Sequence, residues 1–126
     1  MIAKKILNPE RIRRIEGGFG FIPHRLITEG FVAALDPHEL LVYFFLILVA
    51  DRNGLSYYAY DSICSFLSMS LDQYVAARNG LIDKDLIAFN GTLFQVLSLP
   101  VKPPESRKRP VSKALLELIQ KTVKGI

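Results

Sequence analysis

The pattern of hydrophobic and polar positions divides the chain into short helical and strand-like segments. The most apolar run covers residues 40–50, and Asp36, Pro37 and Glu39 before it form the pattern of a helix-capping box. These signals predict a helix from Pro37 to about Ala50. Because a run of this length is too short to span a bilayer, which needs about 20 residues, we expect no membrane span and interpret the helix as buried on most sides.

Two further helices follow in close succession. Asp61 is placed to cap a helix over residues 62–68, and Ser70 is placed to cap a second helix from Leu71 to about Asp83. The apolar side chains predicted to share one face of the first of these helices are Ile63, Phe66 and Leu67.

Three short strands complete the central part of the chain. The first covers residues 55–58 and follows turn residues at 51–54. The other two cover residues 86–89 and 92–99. Asn90-Gly91 lies between them, and this dipeptide is the strongest short sequence signal for a β-hairpin.

The N-terminal region predicts a helical extension. Asn8 and Pro9 are typical of a helix start, and the short helix that they begin ends at Gly17. Pro23 opens a second helical stretch, whose apolar residues on one face are Leu26, Ile27, Phe31 and Leu35. The residues between the two helices that need a surface to pack against are Phe19, Phe21 and Ile22.

The C-terminal region predicts an extended basic linker over residues 100–110 and a final helix over residues 113–124, capped by Ser112. That helix has a broad apolar stripe, as amphipathic helices do. We expect it either to fold back on the body or to pair with its copy in a homodimer, and we favour the dimer.

The order of helix, strand, helix, turn, helix and hairpin resembles that of winged helix-turn-helix domains in transcription regulators and in plasmid and phage replication initiators. The stretch LDPHELLVYFFLILVADRNG resembles the first helix of that family, YDSICSFLSMSLDQYVAARNGLIDKDLI the helix-turn-helix, and FNGTLFQVLSL the wing hairpin. The resemblance implies a mainly α fold with a small β-hairpin wing. It divides the chain into an N-terminal basic helical extension (1–35), the winged helix-turn-helix (36–99), the basic linker (100–110) and a C-terminal amphipathic helix (111–126).

In this family the second helix of the pair lies in the DNA major groove, so the resemblance assigns that role to residues 71–83. The positions implied to face inward are Tyr74, Ala77 and Leu81. The exposed positions implied to meet DNA are Ser70, Asp72, Gln73, Ala76 and Asn79. Gln73 and Asn79 have the amide groups that contact adenine bidentately, and Ser70 is placed to meet a phosphate. Arg78 is the one basic residue of this helix and stands where the family often has leucine. The alternative is a helix that is structural or binds a protein partner.

Basic residues are concentrated at the two ends of the chain. Of the formal net charge of +4, residues 1–19 contribute +3, residues 20–99 contribute −4 and residues 100–126 contribute +5. Because phosphate contacts supply most of the non-specific affinity for DNA, we expect the ends to provide the attraction. The residues expected to do so are Arg11, Arg13, Arg14, Arg107, Lys108 and Arg109. The alternative is a solvated helix face for the first three and a solvated linker for the others.

Candidate catalytic and metal-binding residues are scattered. Three tyrosines cluster within residues 57–60, but a tyrosine nucleophile needs histidines or arginines nearby, and His24 and His38 have no partner at ligand spacing. We expect the tyrosines to pack at a sheet edge and Cys64 to be a small core residue.

The sequence therefore predicts a non-enzymatic protein without cofactor or metal that binds double-stranded DNA. The roles that fit are a transcription regulator and a replication or mobile-element accessory factor. The single cysteine excludes an intrachain disulfide, and no secretion signal is visible, so we expect a cytoplasmic location. The alternative is a winged-helix module that binds a protein partner in a larger complex, which the acidic body favours.

Overall fold

The computed structural model describes residues 3–103 and 113–124. Its helices are α1 (Arg25–Thr28), α2 (Pro37–Val49), α3 (Tyr60–Leu67), α4 (Leu71–Asp83) and α5 (Lys113–Lys124). Its strands are β1 (Leu55–Tyr57), β2 (Ile87–Phe89) and β3 (Leu93–Val96), which form an antiparallel sheet in the order β1-β3-β2. The prediction of a mainly helical fold with a small sheet is confirmed. Among the described residues, no helix is long and apolar enough to cross a membrane.

Helix α2 begins as its sequence predicts. The Asp36 carboxylate accepts a hydrogen bond from the Glu39 amide at 2.8 Å, and the Glu39 carboxylate accepts one from the Asp36 amide at 2.9 Å. These bonds satisfy donors that a helix N-terminus otherwise leaves free. The prediction that α2 is buried on most sides is wrong for one face of the helix. The residues of that face, which are 41–55% exposed, are Leu40, Leu41, Phe44 and Leu48.

The core lies between α2, α3, α4 and the inner face of the sheet. Its largest fully buried side chains are Phe31, Leu35, Leu46, Ile63, Tyr74, Leu81, Leu86 and Phe94. Phe31 and Leu35 precede α2 and belong to the same hydrophobic cluster as the side chains of α2 and α4. The segment before residue 36 therefore contributes to the core of the body.

The turn between α2 and β1 is stabilised by hydrogen bonds to the Asp51 side chain and by a hydrogen bond from β3. The Asp51 carboxylate accepts hydrogen bonds from the Asn53 amide at 2.8 Å and the Leu55 amide at 3.0 Å. Gly54 has a φ of +82°, and its carbonyl accepts a hydrogen bond from the Val96 amide at 2.8 Å. The turn thereby sets the register between β1 and β3, in which Leu55 pairs with Gln95.

We expect Gly54→Ala to lower the free energy of unfolding by about 2 kcal/mol or more. A Cβ at Gly54 would lie 2.5 Å from the Val96 carbonyl oxygen, in a left-handed conformation that favours glycine. Gly91→Ala is the matched control, because Gly91 also has a positive φ but no atom within 4 Å of an added Cβ. Urea denaturation of both variants should show the larger loss for Gly54→Ala, and equal losses would contradict the prediction.

The N-terminal helix is shorter than its sequence predicts. The Asn8 side-chain oxygen accepts a hydrogen bond from the Glu10 amide at 3.2 Å, so the predicted cap is present. However, only a 3-10 turn over Pro9–Arg11 follows, and it does not continue to Gly17. Residues 3–19 are all exposed, and a short helix without a buried face is marginal in water.

The helical stretch predicted from Pro23 is interrupted at Gly30. Gly30 has a φ of +85°, which separates α1 from a 3-10 turn over Val32–Ala34. Three of the four predicted inward residues are buried, whereas Ile27 is 40% exposed. The apolar residues upstream that remain exposed rather than packed are Phe19, Phe21 and Ile22. Phe19 and Phe21 form one wall of an open cleft of about 500 Å³ that faces the C-terminal end of α2.

Helix α3 differs from its prediction at three residues, Asp61, Phe66 and Cys64. It begins at Tyr60, so Asp61 lies in the first turn and accepts a hydrogen bond from the Ser62 amide at 2.9 Å instead of capping the helix. Phe66 is 73% exposed, because the helix turns its Ile63 side to the core, and its ring lies 5.7 Å from that of Phe45. Cys64, expected in the core, is half-buried against it.

Helix α5 has the predicted bounds and folds back on α1. The Gln120 side-chain amide donates a hydrogen bond to the Thr28 carbonyl at 2.6 Å. Leu115 and Leu118 on its apolar stripe remain 48% and 59% exposed. Its predicted cap, Ser112, lies outside the described residues.

Candidate nucleic-acid interface

Helix α4 follows α3 across a tight turn. Ser68 ends α3 in the left-handed conformation with a φ of +52°, and the next side chain, Met69, is buried. Ser70 and Gln73 then form a capping box, in which the Gln73 amide donates to the Ser70 hydroxyl at 3.1 Å. The Ser70 amide donates to the Gln73 side-chain oxygen at 2.9 Å. Local hydrogen bonding therefore orients the start of α4, as its sequence predicts.

One face of α4 packs on the body, and the opposite face is open to solvent. The inward positions Tyr74, Ala77 and Leu81 are buried, as predicted. The predicted outward positions are all exposed, and they are Ser70, Asp72, Gln73, Ala76 and Asn79. Asp83 is also exposed, so the open face carries two carboxylates and no fully exposed cation, beside the exposed apolar side chains of Leu71 and Ile82.

The two amide side chains proposed to contact adenine already have partners. The Gln73 side-chain oxygen accepts the Ser70 amide of the capping box. The Asn79 side-chain oxygen accepts from the Arg78 guanidinium at 3.2 and 3.3 Å. A bidentate amide–adenine contact uses both the oxygen and the nitrogen of the amide. To make that contact, the side-chain oxygen of either residue must share or give up its hydrogen bond within the protein.

Arg78 lies on the flank of α4 between two aromatic rings. Its guanidinium carbon is 5.5 Å from the centre of the Tyr74 ring and 5.1 Å from that of Phe89. This cation–π geometry connects α4 to β2. Burial raises the pKa of the Tyr74 phenol, and the hydrogen bond and positive charge of Arg78 oppose that rise. The guanidinium is thus partly occupied by its contacts with these two rings.

A buried ion pair joins α2 to the end of α4. Glu39 is 4% exposed, and its carboxylate accepts a hydrogen bond from the Lys84 ammonium at 2.5 Å. The same carboxylate lies over Gly80, where an added Cβ would overlap it. The sequence predicts Glu39 as a cap residue only. Its contact with α4 was not predicted, although a glycine in the middle of a helix, which costs about 1 kcal/mol, is a signal of close packing.

Arg25 is also held within the body. Its guanidinium donates to the Glu29 carboxylate at 2.7 Å and to the Pro100 carbonyl at 3.0 Å. The hydrogen bond from Arg25 lowers the pKa of Glu29, and the same bond raises the pKa of Arg25. Since Lys84 and Arg78 are engaged as well, Arg52 is the one cation of residues 20–99 that has no ion pair, hydrogen bond or ring contact within the described residues.

The basic residues of the N-terminal segment are placed differently. They are all exposed and have no ion pair within the described residues. These residues are Lys4, Lys5, Arg11, Arg13 and Arg14. The other predicted basic group, Arg107, Lys108 and Arg109, lies outside the described residues. Among the cations that the structure describes, the N-terminal group is therefore the largest available to a phosphate backbone.

Comparison with family models, curated proteins and solved structures finds no match.

The β2–β3 hairpin ends in a compact, uncharged tip. The Asn90 side-chain oxygen accepts hydrogen bonds from the Thr92 amide at 3.0 Å and the Leu93 amide at 2.8 Å, and Gly91 has a φ of +101°. The predicted Asn-Gly hairpin is thus confirmed. The stacked rings of Phe89 and Phe94, with centres 4.3 Å apart, anchor it to the sheet.

The three tyrosines singled out in the sequence have different surroundings. The Tyr58 ring packs edge-on against Phe45 with ring centres 5.3 Å apart, whereas Tyr57 and Tyr60 are exposed. Within the described part of the chain, no group of three or more potential metal ligands lies together.

Proposed function

We propose that residues 36–99 form a winged helix-turn-helix domain that binds duplex DNA, with α4 facing the major groove and the β2–β3 hairpin as the wing. The observation that carries the proposal is the placement of α4. It follows α3 after a tight turn, packs on the core by one face and leaves the other face exposed to solvent. A recognition helix enters the major groove in this way. We propose no catalytic step.

The charge distribution decides where the affinity for DNA originates. The open face of α4 carries Asp72 and Asp83, which repel phosphates, and most cations of the body have intramolecular partners. The exposed N-terminal arginines are available, and the linker cluster at residues 107–109 adds three more positive charges. We therefore propose that the basic ends hold the phosphate backbone while α4 positions the protein in the groove.

A protein of this kind suits a transcription regulator or an accessory factor of DNA replication or of a mobile element. In each role it binds a DNA site and needs neither a cofactor nor a metal. The supporting features are the order of helices and hairpin and the basic ends of an otherwise acidic chain.

Ala76→Glu tests the proposed role of α4. Ala76 lies on the exposed face of α4, so a carboxylate there should weaken binding to a mixed-sequence duplex about tenfold or more by phosphate repulsion. Fluorescence anisotropy of the full chain with labelled duplex and single-stranded DNA, at low and physiological salt, measures the change. Asn53→Glu is the matched control, because Asn53 is exposed in the turn between α2 and β1 and adds the same charge away from α4, the hairpin and the basic ends. Equal affinities of the two variants, or no binding of the unmodified chain at low salt, would exclude the proposal.

A second candidate function is a winged-helix module that binds a protein. It is favoured by the acidic face of α4 and by the uncharged tip at residues 90–92. If the anisotropy titration shows no DNA binding and a pull-down from nuclease-treated lysate recovers one stoichiometric partner, this function replaces the first.

A further inference from the structure

The open cleft of about 500 Å³ lies between the N-terminal segment and the C-terminal end of α2. Residues 19–23, the turn at residues 50–54 and residues 96–99 line it, and α2 contributes Tyr43 and Ile47. Small-molecule sites have volumes of about 300–1,000 Å³ and combine apolar walls with a few polar groups. This cleft, called here the aromatic cleft, has both properties.

One wall of the aromatic cleft consists of two phenylalanine rings that remain open to solvent. Phe19 and Phe21 line the cleft and are 69% and 77% exposed. Gly20 lies between them and packs directly on α2, since an added Cβ would lie 2.7 Å from the Ile47 carbonyl oxygen. The close backbone contact therefore fixes the two rings beside the cleft, where their faces and edges can stack with a planar ligand.

The Tyr43 hydroxyl is a nearly buried polar group that opens into the cleft. Tyr43 is 3% exposed, and its hydroxyl forms no hydrogen bond within the described residues. Among those residues, Ser56 has the one side-chain oxygen that is both without a partner and closed to solvent. The Tyr43 hydroxyl therefore reaches solvent, and the surface that Tyr43 lines is this cleft.

This hydroxyl marks a position for a ligand acceptor. Burial raises the pKa of the Tyr43 phenol, which therefore remains a hydrogen-bond donor at neutral pH. Buried polar groups in folded proteins nearly always have a hydrogen-bond partner. A ligand that supplies an acceptor at this point gives the hydroxyl the partner that the chain does not.

Two of the three charged residues that line the cleft are cations, and one of these is free to bind an anion. The Asp51 carboxylate accepts two backbone amides of its own turn. Arg25 is held by its ion pair with Glu29. Arg52 is exposed and has no ion pair, hydrogen bond or ring contact within the described part of the chain. A guanidinium group is well suited to pair with a carboxylate, because its planar donors match both carboxylate oxygens.

We propose that the aromatic cleft binds a small aromatic carboxylic acid with a hydrogen-bond acceptor at the end of its ring system opposite the carboxylate. The ring system packs on Phe19 and Phe21. Because Arg52 is exposed and Tyr43 is buried, Arg52 pairs with the carboxylate at the mouth of the cleft, and the Tyr43 hydroxyl donates to the acceptor at its floor. No residue of α4 lines the cleft, so this site does not rest on the proposed binding of DNA.

Fluorescence titration of the full chain tests the two polar contacts separately. The probe is a hydroxynaphthoate whose hydroxyl and carboxylate lie at opposite ends of the ring system, compared with its neutral amide and with the naphthoate that lacks the hydroxyl. The chain has no tryptophan, so the naphthalene emission is measured without overlap. The unmodified chain should bind one equivalent of the hydroxynaphthoate saturably and more tightly than either analogue.

Each substitution should remove the preference for one group of the probe. Arg52→Gln should weaken hydroxynaphthoate binding about tenfold and leave the amide unchanged, because it removes a charge-assisted pair. Tyr43→Phe should weaken it about fivefold and leave the naphthoate unchanged, because it removes one hydrogen bond. Circular dichroism checks that both variants fold. A preference for the acid over the amide that survives Arg52→Gln would overturn the assignment of the carboxylate, and one for the hydroxyl that survives Tyr43→Phe would overturn that of the acceptor.

A pair of glycine variants tests the location of the site. Gly20→Ala should weaken hydroxynaphthoate binding about tenfold, because the added Cβ pushes the segment with Phe19 and Phe21 away from the Ile47 carbonyl. Gly18→Ala is the matched control, since no atom lies within 4 Å of an added Cβ there, and it should bind like the unmodified chain. Absence of saturable binding, or binding that Gly20→Ala leaves unchanged, would exclude the aromatic cleft as the site.

Discussion

Replacing Gly80 by alanine is expected to lower the free energy of unfolding by about 3 kcal/mol. The added Cβ would overlap the Glu39 carboxylate, which packs against the α4 backbone at this position. Glu39 has little freedom to move aside, because the Asp36 amide and the Lys84 ammonium both bond to it. A shift of Glu39 would therefore weaken the cap of α2 and leave a buried charge without its partner.

The sign of this effect is diagnostic. In the middle of an ordinary helix, exchanging glycine for alanine stabilises by about 1 kcal/mol, so the structure reverses the direction that propensity alone predicts. A double-mutant cycle with Glu39→Ala, measured by urea denaturation, separates the overlap with the Glu39 carboxylate from the change in helix propensity. Removing the carboxylate should relieve the overlap, so the free energy of unfolding should fall less in the double variant than the sum of its falls in the two single variants. A gain in stability for Gly80→Ala alone would show that Glu39 does not pack over this glycine.

Replacing Arg11, Arg13 and Arg14 together by alanine is expected to weaken duplex binding about a hundredfold at physiological salt. These arginines are exposed and lack an ion pair within the described residues, whereas three of the four cations in residues 20–99 already have partners. Since each phosphate contact contributes about 0.9 to the slope of log affinity against log salt, the loss of three contacts should flatten that slope by about 2 to 3.

Anisotropy titrations at several salt concentrations measure both quantities. Arg52→Ala is the control, because it removes an exposed positive charge that lies outside both basic ends and should change affinity little. Residues 3–19 bury no side chain, so the triple variant should unfold at the same temperature as the unmodified chain. An unchanged salt slope would exclude phosphate contacts by this segment, even if the affinity fell.

The parts of the fold that were predicted correctly depend on local chemistry. The starts of α2 and α4 follow from capping boxes at Asp36 and Ser70, which act over three residues. The hairpin follows from Asn90-Gly91, where glycine supplies the positive φ. The exposed and buried faces of α4 follow from helical periodicity, so the five positions predicted to face outward on α4 are indeed exposed, whereas Arg78 is half-buried.

The parts that were predicted wrongly depend on what an element packs against. The cap at Asn8 forms, but the helix after it stops at Arg11 because no surface covers it. Phe66 has the spacing of an inward residue, yet α3 turns another side to the core. Gln73 and Asn79 likewise form hydrogen bonds with neighbouring groups, which changes how either amide can contact a base. The spacing of residues in the sequence does not reveal these bonds.

The sequence by itself determined where α2 and α4 begin and where the β2–β3 hairpin turns, because caps, prolines and glycines act on the backbone within a few residues. It also determined the acidic body and the basic ends, because charge is a property of composition. Only the tertiary structure decided which apolar face of α2 is covered and which remains open, since α2 is hydrophobic on every side and its periodicity contains no such choice. It likewise decided which cations are free, because an ion pair such as Glu39–Lys84 joins residues far apart in the chain, and only folding brings them within bonding distance.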